Sequence, residues 1–423
     1  MNKNLFLVGI VLLTFFVVSF ITNILGPIFP SLVSDFNISL AIAGFLPFSF
    51  FAAYGVMSIP AGVLVDKYGE KAVLYIAFSM AASGALLFGL LPSFSMAMLS
   101  LFLIGSGMAM LQVAINPLLR VVGGEENFAF YSVSGQLLFG AAGTLSPLVY
   151  SYFVTGLNSQ SAQDPIINLL SNVVPSDMSW LSMYWLFAII SIAMLLIISR
   201  VNFPTVERNS SESVGTQAVY KQLFKNKTVI LFFIAIAAYV GAEQGVANAM
   251  SLFLQQHHGL DPVTQGAAIV SRFWLMLTLG CILGLGLVKL LDSRLVLVGF
   301  SLCAILSLTA AILGPTSISV IAFPLVGFFL SVMWSVIFSL ALNSVKHHHG
   351  SVAGILCTGI IGGGLASPLV GFIADISGDL RLGLLIVYAM LFYILSIGFW
   401  AKPLITNKTI QIFKSKGETT SNI

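Results

Sequence analysis

Charged residues are scarce in this chain, and most of the basic ones are confined to short segments. Only 8% of the 423 residues are Asp, Glu, Lys or Arg, whereas 58% are hydrophobic and the mean hydropathy is +1.02. Typical soluble domains carry about 25% charged residues, so no soluble core explains this composition. The composition therefore predicts an integral membrane protein.

Several function classes are disfavoured by what is missing. The three cysteines, Cys281, Cys303 and Cys357, lie within apolar runs without paired spacing, which indicates neither a disulfide framework nor a metal site. No GxxxxGK[ST] loop is present, so an ATP-driven pump would need a separate subunit. No polar segment is long enough for a catalytic domain. We therefore expect no enzyme activity, no cofactor, no metal and no nucleic-acid partner, and we expect a monomer in the bilayer.

Apolar runs of about 20 residues, the length of one bilayer crossing, recur along the whole chain. In lipid they must be helices, because the backbone polar groups have no other hydrogen-bonding partners there. The sequence thus predicts an all-α integral membrane protein with twelve transmembrane helices. The predicted helices are roughly 4–25, 40–65, 72–94, 96–119, 128–154, 180–201, 228–254, 265–290, 295–313, 316–342, 351–374 and 382–402.

The positions of the basic residues predict the orientation. With the N-terminus inside, sixteen of the eighteen Lys and Arg residues fall on one side, and the opposite side carries mainly aspartates. Basic loops stay in the cytoplasm, so we expect both termini to be cytoplasmic. Residues 5–25 are interpreted as a retained first helix and not as a cleaved signal peptide. A bacterial inner membrane fits this layout.

The chain divides into two similar halves. The polar, basic segment 202–227 separates a six-helix bundle, 1–201, from a second bundle, 228–402, and 403–423 form a cytoplasmic tail. Asn116 and Asn343, Ser146 and Ser367, and the helix-end acids of both halves recur at offsets of 227, 221 and 226 residues. Nearly constant offsets predict a duplicated six-helix unit.

Two ionisable residues stand apart from the helix ends, Glu243 in the seventh predicted helix and Arg272 in the eighth. Counting from Lys227 and Lys289 places both about 24–26 Å above the cytoplasmic side. We predict an ion pair that opens and closes with transport, in which Glu243 accepts a proton, binds Na⁺ or holds a sugar hydroxyl. A purely structural pair is the alternative.

Amides and one tryptophan are the candidate substrate-binding groups. Gln244 and Asn248 follow Glu243, Gln136 lies in the fifth helix, Asn23 lies in the first, and Trp334 lies deep in the tenth. Amides suit a polyhydroxylated ligand, and an aromatic face suits the C–H surface of a sugar. The alternative for each amide is a hydrogen bond that holds two helices together.

The turn after the second helix carries the first family resemblance. Gly62-Val-Leu-Val-Asp66-Lys67-Tyr-Gly69-Glu70-Lys71 resembles the signature loop of major facilitator transporters, although Glu70 stands at a usually basic position. The resemblance implies the major facilitator fold, two parallel six-helix pseudo-repeats with a substrate site between them. Asp66 is then expected to face the N-terminal end of the eleventh helix. We assign a gating role to Gly62, Asp66, Lys67, Gly69, Lys71, Asp292 and Arg294.

A second resemblance narrows the family. Gln112-Val-Ala-Ile-Asn116-Pro117 and the glycine-rich stretch from Gly359 to Pro368 resemble the fucose permease group of sugar symporters. Gln112 and Asn116 lie one helical turn apart and are candidate substrate ligands. That group carries carboxylates where this chain has Gly26 and Gln112, so the usual route of proton coupling is in doubt.

Together these features predict a secondary active transporter of a monosaccharide or related polyol, working by alternating access and coupled to H⁺ or Na⁺. An uncoupled sugar uniporter, a drug or metabolite exporter on the same scaffold, and a membrane receptor without transport are the alternatives.

Overall fold

Residues 5–123, 128–159, 164–203, 217–345 and 349–404 are described in a computed structural model of the chain. Within these ranges, twelve helices are long and apolar enough to cross a membrane, which confirms the predicted all-α membrane fold. Some side chains inside the ranges lie outside the description, among them those of Asp66 and Asn116.

The twelve spans are labelled α1 to α12 in chain order. They are Leu5–Phe36, Leu40–Val65, Lys67–Leu90, Phe94–Ile115, Ser134–Asn158, Ser179–Arg200, Lys227–His258, Pro262–Val288, Ser293–Leu313, Thr316–Leu342, Ser351–Ser377 and Leu380–Trp400. Two short helices, Pro165–Ser171 and Gln217–Leu223, lie outside the spans. We call the end of the bundle with Asp35, Asp164 and Asp375 the acidic end, and the end with Lys67, Lys71 and Arg294 the basic end.

Three spans are interrupted well inside their length. Span α1 consists of two helices, Leu5–Thr22 and Leu25–Phe36, and α10 consists of Thr316–Leu330 and Met333–Leu342. Span α11 contains one 3-10 turn, Gly359–Ile361. Irregular backbone at membrane depth is tolerated where protein or a cavity surrounds it, so these breaks indicate the interior of the bundle.

Two hydrophobic clusters fill the interior. The first contains buried residues between Leu7 and Val201, and the second contains buried residues between Leu223 and Ala401. Three residues are exceptions: Phe29 of α1 and Ala43 of α2 pack in the second cluster, and Ala267 of α8 packs in the first. We propose on this basis that 1–201 and 228–402 are two bundles. Residues 204–216 of the linker 202–227 and 405–423 of the tail 403–423 lie outside the described residues.

Corresponding serines of the two halves make corresponding contacts. On α5, Ser146 donates from Oγ to the Phe20 carbonyl of α1 at 2.8 Å. On α11, Ser367 Oγ accepts a hydrogen bond of 3.2 Å from Asn248 Nδ2 of α7. Helix α5 thus packs on α1 in the first half, and α11 packs on α7 in the second half. This correspondence is the geometry expected of a duplicated unit.

The two bundles meet chiefly along two helix pairs, α2 with α11 and α5 with α8, and the second part of α1 also packs on α7. A Cβ added at Gly44 of α2 would lie 2.6 Å from Pro368 Cα, and one at Gly371 of α11 would lie 2.3 Å from the Leu40 carbonyl oxygen. Backbone therefore touches backbone here, which only glycine permits. Both contacts lie toward the acidic end.

Candidate functional site

Glu243 lies on α7, half-buried, with two hydrogen-bond donors from its own helix. Tyr239 Oη donates to Glu243 Oε2 at 2.5 Å, and Gln244 Nε2 donates to Oε1 at 3.1 Å. Within the described ranges no basic side chain pairs with this carboxylate. An intramembrane carboxylate without a cationic partner is costly, so it is a strong candidate for binding a cation or proton during function.

An aromatic wall continues from this carboxylate. The ring of Tyr239 lies 6.1 Å from that of Trp334 on α10, and Trp334 stacks on Phe338 at 5.9 Å with 22° between the ring planes. Trp334 is the second residue after the break in α10, so the break places its ring beside α7. The wall offers an apolar face next to a hydrogen-bonding carboxylate, the combination that a sugar ring needs.

Among the described contacts Arg272 does not pair with Glu243, so this conformation lacks the predicted ion pair. Cys281 is a residue of α8 that lies near Glu243. Nine residues separate Arg272 from Cys281, and at about 100° per residue they lie on opposite faces of the helix. Arg272 is exposed, in one stripe with Leu275 and Leu279, which are 40% and 43% exposed.

The predicted pair assumed that successive helices are neighbours. Helix α8 packs mainly on α5 and α10, and its contact with α7 is slight. Ser271 Oγ donates to the Thr144 carbonyl of α5 at 2.7 Å, and the next residue, Arg272, turns away from the bundle. The residue count gave only a distance along each helix. It did not determine the direction in which the side chains point.

Gln244 and Asn248 are buried on the side of α7 that meets α11. Asn248 donates to Ser367, and Gln244 donates to Glu243 while its Cγ lies 3.1 Å from the Cβ position of Gly363. The interhelical bond supports the packing alternative for Asn248. Gln244 remains a candidate ligand, because its amide already orients the carboxylate.

The first half contributes its amides at separate points. Asn23 lies at the break of α1, buried, and donates from Nδ2 to Ser19 Oγ at 2.9 Å. Gln112 Nε2 donates to Tyr54 Oη of α2 at 3.3 Å. The side chain of Asn116 lies outside the described residues. The hydrogen bonds described for Asn23 and Gln112 thus stay within the first bundle.

Gln136 is exposed on the inner face of α5. The lipid-facing stripe of that helix includes Leu137, Leu145 and Leu148, and at about 100° per residue Gln136 lies roughly 140° from the centre of this stripe. One turn toward the acidic end, a Cβ on Gly140 would lie 1.8 Å from Thr278 Oγ1 of α8. The bundles are therefore in contact above Gln136, while Gln136 itself is open to solvent.

The residues assigned to gating form local contacts at the basic end. Gly69 has φ +80°, a left-handed conformation that favours glycine, and it separates α2 from α3. Lys67 Nζ lies 5.0 Å from the ring centre of Tyr68, and Gly62 is buried. Lys71 Nζ donates to the Ser199 carbonyl at the end of α6 at 3.4 Å.

The second half repeats the Lys71 contact with Arg294. Arg294 Nη1 donates to the Ala401 carbonyl at the end of α12 at 3.5 Å, and Nη2 donates to Asp292 Oδ2 at 2.9 Å. Asp292 also caps α9, accepting from the Arg294 backbone N–H at 2.8 Å. The hydrogen bond from the Arg294 side chain lowers the pKa of Asp292. The expected contact of Asp66 with α11 lies outside the described residues.

One contact was not predicted from the sequence. Asp375, at the acidic end of α11, accepts hydrogen bonds from the backbone N–H groups of Leu40 and Ala41 in α2, at 3.1 and 2.8 Å. In the sequence Asp375 is one of several acids on this side. The Gly371-x-x-x-Asp375 spacing, which places a small residue one turn before the acid, is the only hint of a close approach.

The chain has clear relatives. The Major Facilitator Superfamily description matches residues 11–359. A glucose/galactose transporter of Brucella abortus is 29% identical over 86% of this chain and 87% of its own length. The solved structure of the Escherichia coli fucose:proton symporter FucP in its outward conformation matches with a TM-score of 0.66 at 21% identity, covering 93% of this chain and 98% of that one.

A bacterial homologue of the human lysosomal transporter Spinster, in an inward-facing conformation, matches with a TM-score of 0.75 at 14% identity over 95% of this chain and 97% of that one. The resemblance to the fucose permease group is thereby confirmed. So is the expectation that the chain is not an enzyme, because its relatives and its fold are those of transporters. The chain belongs to the Major Facilitator Superfamily of membrane transporters.

Proposed function

We propose that this protein transports a monosaccharide or related polyol across the membrane by alternating access, coupled to the movement of H⁺ or Na⁺ through Glu243. The observation that carries the proposal is the carboxylate of Glu243 without a basic partner beside the aromatic wall of Tyr239, Trp334 and Phe338. The names of the relatives, a glucose/galactose transporter and a fucose:proton symporter, support a sugar as substrate.

Sugar recognition is supported by the kinds of side chain around the wall. The amide of Gln244 and the hydroxyl of Tyr239 both contact Glu243, so a sugar hydroxyl could bind to any of the three. Gln136 presents a further amide to solvent from the first bundle. A site between two bundles can be exposed to each side in turn when the bundles rock against one another.

The coupling role rests on the position of Glu243. The fucose-permease pattern places its carboxylates where this chain has Gly26 and Gln112, and neither residue can take up a proton. Glu243 is half-buried in the interior, so its exchange of a cation depends on how far the bundles are open around it. Movement of the cation and the sugar would then depend on the same opening.

The conformation fits a transporter closed at the acidic end. The backbone contacts at Gly44 and Gly371 and the hydrogen bonds of Asp375 join the bundles there, whereas Gln136 is exposed below them. The distribution of Lys and Arg supports a cytoplasmic basic end with both termini inside, in a bacterial inner membrane. In that orientation the conformation faces the cytoplasm.

The proposal is tested in liposomes that contain the purified protein. Monosaccharide uptake is measured under an imposed pH gradient and then under a Na⁺ gradient. Symport with one proton allows about tenfold accumulation for each pH unit. We expect accumulation under one of the gradients, and we expect Glu243→Gln to abolish it while sugar exchange continues, because Gln can still accept the hydrogen bond of Tyr239 but cannot be charged.

The matched control is Arg272→Gln, which removes the other intramembrane charge from the lipid-facing side of α8. This variant should keep full accumulation. Normal accumulation by folded Glu243→Gln protein would remove the coupling role. Exchange without accumulation in the unmodified protein would indicate a uniporter, and no sugar movement under either gradient would favour the exporter.

A further inference from the structure

Asp375 joins the two bundles through the backbone of α2. Its Oδ1 accepts from Leu40 N–H at 3.1 Å and its Oδ2 from Ala41 N–H at 2.8 Å, although α11 and α2 belong to different halves of the chain. The first N–H groups of a helix have no partner within that helix, and they carry the positive end of its dipole. A carboxylate from the opposite bundle therefore provides the N-terminal cap of α2.

The close approach of the two helices is part of the same feature. Gly371 lies one turn before Asp375, and a Cβ there would lie 2.3 Å from the Leu40 carbonyl oxygen. Any larger side chain would hold α2 too far away for both hydrogen bonds. Ala43, one turn along α2, is fully buried among residues of the second bundle. The contact thus closes the path between the bundles at the acidic end.

The helix pair α5 and α8 shows no equivalent carboxylate contact among the described residues. The offset of 221 residues that relates Ser146 to Ser367 makes Val154 of α5 the counterpart of Asp375 of α11. Valine cannot accept a hydrogen bond through its side chain. On the α8 side, Asp261 caps its own helix by accepting from the Thr264 N–H at 2.8 Å. Within the described ranges, the carboxylate contact between the bundles is therefore seen at α2 and α11.

We infer that Asp375 is the latch of the gate at the acidic end, a positioning residue that stabilises the closed state by capping α2 and must release it each time the site opens to that side. The two hydrogen bonds exist only while the bundles are together. The inference concerns the conformational equilibrium of the transporter and holds for any substrate, so it can fail independently of the proposed sugar transport.

The chain offers a matched control on the same helix end. Ser39 also caps α2, because its Oγ accepts from the Ile42 N–H at 3.3 Å, but this hydrogen bond stays within the first bundle. Asp375→Asn weakens the cap between bundles, and Ser39→Ala removes the local cap. If the latch operates, only the first substitution shifts the closed and open populations.

The reporter is Ala43→Cys in a background with the three native cysteines replaced by serine. Labelling of this buried thiol by a maleimide requires the bundles to separate at the acidic end, and in detergent the reagent reaches both ends of the protein. Asn keeps one acceptor oxygen but loses the negative charge and the second acceptor, so we expect Asp375→Asn to raise the labelling rate about fivefold, a population change that corresponds to about 1 kcal/mol. Ser39→Ala should leave the rate unchanged.

Leu40→Pro tests the donor side and covers the case in which Asp375→Asn does not fold. Proline is well accepted at the first position of a helix, and Ser39 before it is already extended, with ψ 160°. The substitution removes one of the two N–H donors and should also raise the labelling rate. Unchanged labelling in folded Asp375→Asn or Leu40→Pro protein overturns the inference. Equal increases in Asp375→Asn and Ser39→Ala would also overturn it, since fraying of α2 would then be the cause.

Discussion

Substitution of Gly44 by alanine is expected to hold the bundles apart at the acidic end. The added Cβ would lie 2.6 Å from Pro368 N and Cα and 2.7 Å from Ser367 C, all of them backbone atoms. Carbon atoms pack at about 3.5–4.0 Å, so α2 and α11 must separate by roughly 1 Å at this point. No side-chain rotation can relieve the contact, and the cheapest response is separation of the two bundles.

The size of the effect follows from the cost of overpacking. Inserting a methyl group into a close-packed contact costs about 1–3 kcal/mol, which shifts a two-state equilibrium roughly 5- to 150-fold. This cost applies only while the acidic end is closed, because the clash is absent when the bundles are apart. We therefore expect Gly44→Ala to favour the open state without unfolding either bundle.

The assay is a distance distribution between spin labels at Ser34→Cys and Ile376→Cys, which are exposed at the acidic ends of α1 and α11. Gly44→Ala should add a population at longer distance. Gly299→Ala is the neutral control, since nothing lies within 4 Å of its Cβ position. Gly362→Ala clashes with Ala237 of the same bundle at 2.1 Å, so it should lower thermal stability without changing the distances.

An unchanged distance distribution in folded Gly44→Ala protein would refute the reasoning, because it would mean that the helices absorb the methyl group locally. A change of equal size in Gly362→Ala would refute it too. In that case, loosening within one bundle would suffice to separate the labels. The comparison therefore distinguishes motion between bundles from strain within one.

Two further predictions concern the aromatic wall and the basic end. Trp334→Leu should raise KM for the sugar by about tenfold. Thermal stability should stay nearly unchanged, since Trp334 is only half-buried. Uptake kinetics at several sugar concentrations test this, and an unchanged KM contradicts it. Asp292→Asn should lower stability at pH 7 by about 0.5 kcal/mol, because the pair with Arg294 is partly exposed. The pKa of Asp292 is lowered in the folded state, so the carboxylate stabilises the fold above its ordinary pKa of about 3.9 and this stabilisation is lost as the pH falls through the lowered value. Thermal melts at pH 7 and below pH 4 should show the difference between the two proteins shrinking.

The helices were predictable because hydropathy and length are strong constraints in a bilayer, whereas their breaks were not. Pro27 and Pro30 follow the predicted end of the first helix at residue 25, yet α1 continues to Phe36. The chain restarts as a new helix at Leu25, so Pro27 falls in its first turn, where a backbone N–H is not needed. Only the structure shows that Asn23 and Ile24 separate the two pieces.

The candidate site was only partly predictable for a similar reason. Glu243 was found by elimination, since few charges lie within the spans. Predicting its partner, by contrast, requires knowing which helices touch. Helix contacts across the duplicated halves depend on small residues such as Gly44 and Gly371, which are common in membrane helices. Sequence alone does not distinguish glycines at a bundle interface from those inside a bundle.

The hydrogen bonds at the two ends suggest how the bundles move. At the basic end, Lys71 bonds to the end of α6 and Arg294 to the end of α12, so each contact stays within its own bundle. At the acidic end, Asp375 and the Ser271 hydroxyl bond across the interface. Contacts of the first kind persist when the bundles rock as rigid bodies, and those of the second kind must break. Opening toward the acidic side is therefore expected to be the step that the contacts of Asp375 oppose.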